Sequence, residues 1–109
     1  MDIYRIEKFK GGWFIGDFDP AVFKTKDFEV CFKFHKQGEL WDTHYHKIAE
    51  EINYLIRGKM KIGDILIEAG DIFHIHRNEV SAPVFLEDCE LIVVKTPSVQ
   101  NDKFIVNNE

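Results

Sequence analysis

Residues 38–58, GELWDTHYHKIAEEINYLIRG, decide how this chain is read. Taken by periodicity alone the stretch suits a helix. Tyr45, Ile48, Ile52, Leu55 and Ile56 fall at helical spacing, Thr43 stands where a cap belongs, and Gly58 serves as a stop. Taken as strand, it puts His44 and His46 on one face, because residues two apart in a strand point to the same side. Five positions after His46 comes Glu51, a hard oxygen donor. Two imidazoles and one carboxylate on a common face, with open positions opposite, is a ligand set taken by Fe(II), Mn(II), Ni(II) or Zn(II). The bland alternative is a pair of surface histidines on an exposed strand.

Working outward, short apolar runs recur between turn residues, the pattern of an all-β domain. From Phe28 to His35 the chain alternates, with Phe28, Val30, Phe32 and Phe34 on one side and Glu29, Cys31, Lys33 and His35 on the other. Alternation assigns Phe32 and Phe34 to the core. Ile62-Gly63-Asp64-Ile65 reads as a tight hairpin. Ile72–Ile75, Val84–Leu86 and Leu91–Val94 supply further strands, and Phe104–Val106 a last one. The start, Ile3 to Phe9, alternates apolar and charged residues, while Pro97 to Lys103 reads as a polar, solvated tail.

The chain has 109 residues, 45% hydrophobic and 14% aromatic, with 14 Lys plus Arg against 19 Asp plus Glu and a formal charge of -5. That length supports one core and not two. The acid excess argues against nucleic acid or an anionic membrane as main partner. No apolar run spans a bilayer, and the first residues lack the apolar stretch of a signal peptide. Cys31 and Cys89, the two cysteines, are expected as free thiols buried in strands of a cytoplasmic protein.

The spacing Gly38, five residues, His44-Tyr45-His46, four residues, Glu51, six residues, Gly58 resembles the first motif of the cupin superfamily without a gap. Gly70-Asp71-Ile72-Phe73-His74-Ile75 is similar to the opening of the second motif. The resemblance covers about half the chain, Gly38 to Phe85. It implies a small single-domain cupin, an all-β jelly-roll barrel over residues 1–109 with its conserved core at about 28–95 and short N- and C-terminal extensions. It also places strands on both sides of His44–Arg57, against the helix.

By the same resemblance His44, His46 and Glu51 are metal ligands. The second motif departs from the family pattern: His76 stands at the usual Pro position, Asn78 at the following Gly, Ser81 at the metal-binding His and Phe85 at the closing Asn. A serine hydroxyl is a poor ligand for such ions, so three fillings of the fourth position stay open. Water can leave a facial triad open to substrate, His74 or His76 can supply the missing imidazole, or the pocket can work without metal. Phe73 and Ile75 are the more apolar side of their strand, which turns His74 and His76 outward or into an interface. Asn53 shares the parity of Glu51 and, with Ser81, is expected to line the substrate pocket, with Trp41 or Tyr45 at its rim. Tyr54 faces the other way, toward core or interface.

Two functions follow from the resemblance. One is a mononuclear metal cupin acting on or binding a small organic molecule as dioxygenase, decarboxylase or isomerase. The other is a metal-free binding module or isomerase for a sugar or similar metabolite. Both imply a homodimer, since jelly-roll edges are usually covered and the N-terminal segment can cross to a neighbour.

Overall fold

The computed structural model describes residues 1–106. After two single turns of 3-10 helix, Ile6–Lys8 and Lys10–Gly12, the regular elements among the described residues are all strands. In order these are β1 Trp13–Ile15, β2 Glu29–His35, β3 His44–His46, β4 Glu50–Arg57, β5 Lys59–Ile62, β6 Ile65–Glu68, β7 Ile72–Ile75, β8 Pro83–Phe85, β9 Cys89–Thr96 and β10 Lys103–Ile105. β2 and β9 carry Val, Ile and Phe, as suits a pleated surface packed on at least one side. Among the described residues no helix is long and apolar enough to cross a membrane.

The strands make a five-stranded sheet in the order β1-β2-β9-β4-β7, a three-stranded sheet β6-β5-β8, and a ribbon of β10 with β3. All of the strand pairs are antiparallel. A bridge from His44 to Ser81 ties the ribbon to the segment leading into β8. The core lies where the five- and three-stranded sheets face each other. Cys31, Leu55, Cys89, Leu91 and Val93 come from the first, and Met60, Ile67 and Phe85 from the second. This is the expected jelly roll.

Residues 44–46 and 50–57 are strand, with a turn between them and no helix. The apparent helical stripe does not form one buried face: Ile48, Ile52 and Ile56 are exposed while Leu55 is sealed. The period that governs burial is two, and it places Asn53 and Leu55 inward with Glu51. Gly58 then lets β4 pass into β5 against the Asp88–Cys89 backbone, where a Cβ would meet the Asp88 carbonyl oxygen at 2.3 Å. The expected hairpin is present, with Ile62 opposite Ile65 and Gly63 at φ 58°.

Three expectations are corrected. In β2 the inward face carries Glu29, Cys31, Lys33 and His35, whereas Phe34 is 45% and Phe28 37% exposed. Phe32 and Phe34 are therefore not core. The sheet's inner wall borders a pocket that uses polar groups, and its outer wall is left apolar, so alternation alone inverts the faces. The segment from Pro97 to Lys103 is not a solvated tail either. Ser98 and Asp102 are buried, and Lys103 already belongs to β10. Ile3 to Phe9 forms no strand, its alternation being spent on an exposed segment and one 3-10 turn. Cys31 and Cys89 are free and buried, and burial pushes the Cys31 thiol up to about 12, which makes it inert as a nucleophile.

Candidate metal centre

A cavity of about 110 Å³ opens between the facing sheets and the ribbon, and His44, His46, Glu51, Asn53 and Ser81 all line it. β3 delivers the two imidazoles from one side, and β4 delivers the carboxylate and the amide from the other. The available donor atoms of His44, His46 and Glu51 lie within 4.8 Å of one another, and His46 Nε2 stands 3.5 Å from Glu51 Oε2. An ion about 2.1 Å from each donor needs donors about 3.0–3.4 Å apart, so a small side-chain adjustment closes the set.

The tautomers favour that use. His44 Nδ1 lies 2.8 Å from the Asp42 carbonyl oxygen and His46 Nδ1 lies 2.9 Å from that of Asp102. A carbonyl only accepts, so each Nδ1 carries the proton and each Nε2 keeps its lone pair. Anchoring of this kind fixes the ring orientation of a metal-binding histidine. Burial holds the His44 imidazole below its usual range, outweighing the bond to Asp42, and Lys103 and His46 add to the effect. Burial pushes the Glu51 carboxyl up, but the adjoining His46 ring, the Lys95 charge and the His44 ring together bring it below the usual carboxylate range. A neutral imidazole and an ionised carboxylate are the states a divalent cation requires. The donor set fits such an ion.

Asp102 is the residue that sequence reasoning missed. Its carboxylate accepts the backbone N–H groups of Lys47, Ile48 and Ala49, at 2.9 to 3.2 Å, and so shapes the turn between β3 and β4. Its carbonyl fixes His46. Nothing local signals this partner, which stands 56 positions from His46. His35 is also on the wall, stacked on Phe85 at 4.2 Å between centroids and bonded through Nδ1 to the Glu39 carboxylate. The i,i+4 spacing of that pair was there to be read.

Ser81 occupies the place opposite His44, exchanging both backbone hydrogen bonds with it, and is buried. Asn53 is buried at 4% exposure, and its Nδ2 has no hydrogen-bond partner. Trp41 reaches the rim, while Tyr45 turns away and stacks on Phe104. His74 and His76 do not complete the inner set. His74 pairs in register with Ile52, an outward position, and both imidazoles gather with Glu50 on the outer side of the sheet. Tyr54 is 45% exposed on that same outer side.

No protein-family model matches the sequence, and no curated protein matches it. Solved structures do match. A protein with a double-stranded beta-helix domain from Klebsiella pneumoniae aligns over 97% of this chain and 92% of its own, at TM-score 0.69 and 18% identity. The DMSP lyase DddQ from Ruegeria pomeroyi aligns at TM-score 0.73 and 15% identity over 89% of this chain. Oxalate decarboxylase from Bacillus subtilis, which has Mn(II) centres, aligns at TM-score 0.64 and 21% identity over 75% of this chain. The chain spans 52% of the length of the lyase and 25% of that of the decarboxylase. Cupin-2 and RmlC-like cupin proteins stand among the other matches. These likenesses give the chain the double-stranded beta-helix fold of cupin proteins.

Proposed function

We propose that the chain is a metal-dependent cupin that acts on a small organic molecule in the cavity between its sheets. The observation that carries this reading is the pair of Nδ1 anchors, which turn both Nε2 lone pairs loose beside an ionised Glu51. His44, His46 and Glu51 would hold the ion, and Ser81, at the remaining position, leaves room for a ligand. A divalent ion there supplies Lewis-acid polarisation of a bound oxygen. Asn53 Nδ2, buried and unpartnered, offers a hydrogen bond to the ligand, since an unsatisfied buried donor costs about 1–3 kcal/mol. Glu39 holds the His35 ring at the cavity wall through Nδ1. The apolar walls of Met60, Ile62, Phe73 and Val93 limit water around it. Neighbours of this fold with a lyase and a decarboxylase among them support the reading without choosing a reaction.

Elemental analysis of tag-free protein tests it. About one transition-metal equivalent per chain, lost in His44→Ala with the fold intact, is the expected result. A folded wild-type protein that takes up none on titration sinks the metal and leaves a binding module.

We further propose that a second copy covers the outer wall, where Phe34, Tyr54 and Ile72 stand 45%, 45% and 71% exposed. Sedimentation should show a dimer that Phe34→Glu dissociates; a wild-type monomer overturns this. Two buried free thiols suit the reducing cytoplasm proposed as its compartment.

A further inference from the structure

Three lysines stand at the same cavity, and none of them is among the residues that would hold the ion. Lys95 is the cross-strand partner of Glu51, and Lys103 is the cross-strand partner of His46. Lys33 lies on the inward face of β2, two positions before His35. All three line the cavity. Two tryptophan rings hold their ammonium groups there. Lys33 Nζ and Lys95 Nζ sit 5.6 and 5.1 Å from the Trp13 ring, and Lys103 Nζ sits 4.6 Å from that of Trp41. Lys33 Nζ also donates to the Gly11 carbonyl at 2.7 Å.

Among the described residues none of these three ammonium groups is in an ion pair. The carboxylates that face them are few. Glu51 stands beside His46, 3.5 Å from its Nε2, and Glu29, which is also opposite Lys95 in the sheet, receives the Ser98 hydroxyl. Burial pushes the Glu29 carboxyl up, which weakens it as a counter-charge. Glu39, near the rim, is taken by His35. A chain of net charge -5 thus lines this cavity with three cations, an arrangement that draws anions in.

We infer that the ligand of this cavity is a small carboxylate, selected by Lys33, Lys95 and Lys103 in its lining. The rest of the lining agrees. Asn53 Nδ2 is a buried donor without an acceptor, which a carboxylate oxygen satisfies. Phosphate is the weaker fit. No arginine lines the cavity, and Met60, Ile62, Phe73, Leu91 and Val93 present apolar surface suited to a short hydrocarbon. The inference deepens the reading of this cavity as a small-molecule site and rests on it, but it does not need the ion.

Calorimetry on chelator-stripped protein tests it with four probes of similar size: malonate, its neutral diamide malonamide, 1,3-diaminopropane and inorganic phosphate. Malonate should bind at least about tenfold tighter than the other three and weaken with added salt. Lys95→Met should cost about tenfold in malonate affinity and leave malonamide unchanged. Lys103→Met should repeat the effect, and it carries the test if Lys95→Met does not fold. Malonate bound no tighter than malonamide, or indifferent to both substitutions, overturns the inference, and phosphate bound as tightly as malonate overturns the carboxylate class. A parallel metal titration separates the two readings. Metal taken up without malonate selectivity removes the anion and keeps the ion, whereas malonate selectivity without metal uptake does the reverse.

Discussion

The chain carries the pattern His-X-His twice, and the two copies meet opposite fates. His44 and His46 are buried at 8% and 5% exposure, while His74 and His76 gather on the outer side of the sheet. Each pair finds a glutamate, and the two glutamates are neighbours. Glu51 points inward from β4 and Glu50 outward, so consecutive carboxylates serve opposite faces of one strand. The pairs differ in what fixes their atoms. Backbone carbonyls anchor both inner rings through Nδ1. In the outer group His74 Nε2 and His76 Nδ1 both reach Glu50 Oε1, at 3.1 and 3.5 Å, and Arg77 takes Oε2 at 3.1 Å. Ligand type and spacing are shared; burial, anchoring and a free carboxylate are not.

The largest expected effect breaks the comparison directly. His46→Ala should weaken metal binding by more than about a hundredfold, because loss of a direct ligand exceeds the 10–100-fold cost of losing an outer partner. The double substitution His74→Ala/His76→Ala should leave metal content at the wild-type level. Isothermal titration with Zn(II) or Mn(II) reads both. A reversed outcome would move the metal centre to the outer face of the sheet.

Anchoring is tested next, through Asp102. Its buried carboxylate accepts the N–H groups of Lys47, Ile48 and Ala49 between the inner histidines and β4. Asp102→Ala should cost about 3 kcal/mol in chemical denaturation, since hydrogen bonds to a charged group are worth about 1.5–3 kcal/mol and several donors are stranded at once. Glu50→Ala, in the exposed outer group, should leave the denaturation midpoint close to wild type. Equal, small effects from both would mean that the β3–β4 turn holds itself.

How these parts were legible differs with the range of the forces involved. Parity along one strand is local, so the inward grouping of Glu51 with Asn53 and the outward turn of His74 and His76 could be read from residue order. The faces of β2 could not. Alternation tells that two sides differ, not which side meets the cavity, and here the wall bearing Lys33 and His35 is the inner one. The same inversion hid Lys33 as a cavity residue. Asp102 was illegible for another reason: its partners are backbone groups 53 to 55 positions away and a ring 56 positions away, and no residue type marks a carbonyl that will orient a ring. Asn53 was placed by parity, but its unpartnered amide appears only once every neighbour is in position.

Acid sharpens the contrast by a smaller amount. The folded pKa of His44 lies below 6.5 and that of Glu51 below 4.5. For both groups the unfolded chain therefore takes up the proton first as pH falls, and protonation draws the equilibrium toward unfolding. The metal-stripped protein should hold full stability from these groups above about pH 6.5, begin to lose it as pH falls below that value through His44, and lose more below about pH 4.5 through Glu51. Denaturation midpoints measured over that range should flatten near pH 6 in His44→Ala. An acid-stabilised wild type would contradict the direction of both shifts.

The smallest effect asks why the outer pair does not do the work of the inner one. Arg77 holds one oxygen of Glu50 and its guanidinium also donates through Nε to the Ile48 carbonyl, so the cation is positioned and not merely nearby. A metal arriving at His74 and His76 must share a carboxylate already neutralised by a fixed positive charge. In a His44→Ala/His46→Ala background, adding Arg77→Ala should raise outer-face Zn(II) affinity by about threefold to tenfold, the modest range expected where solvent screens the charges. No change would remove Arg77 from the account and leave exposure alone to separate the pairs: side chains free to move in water lose more entropy on closing around an ion than two rings already pinned to the backbone. A rise to the inner site's affinity would show instead that the anchoring of Nδ1 contributes little, and that the free carboxylate is what distinguishes His44 and His46 from their outer counterparts.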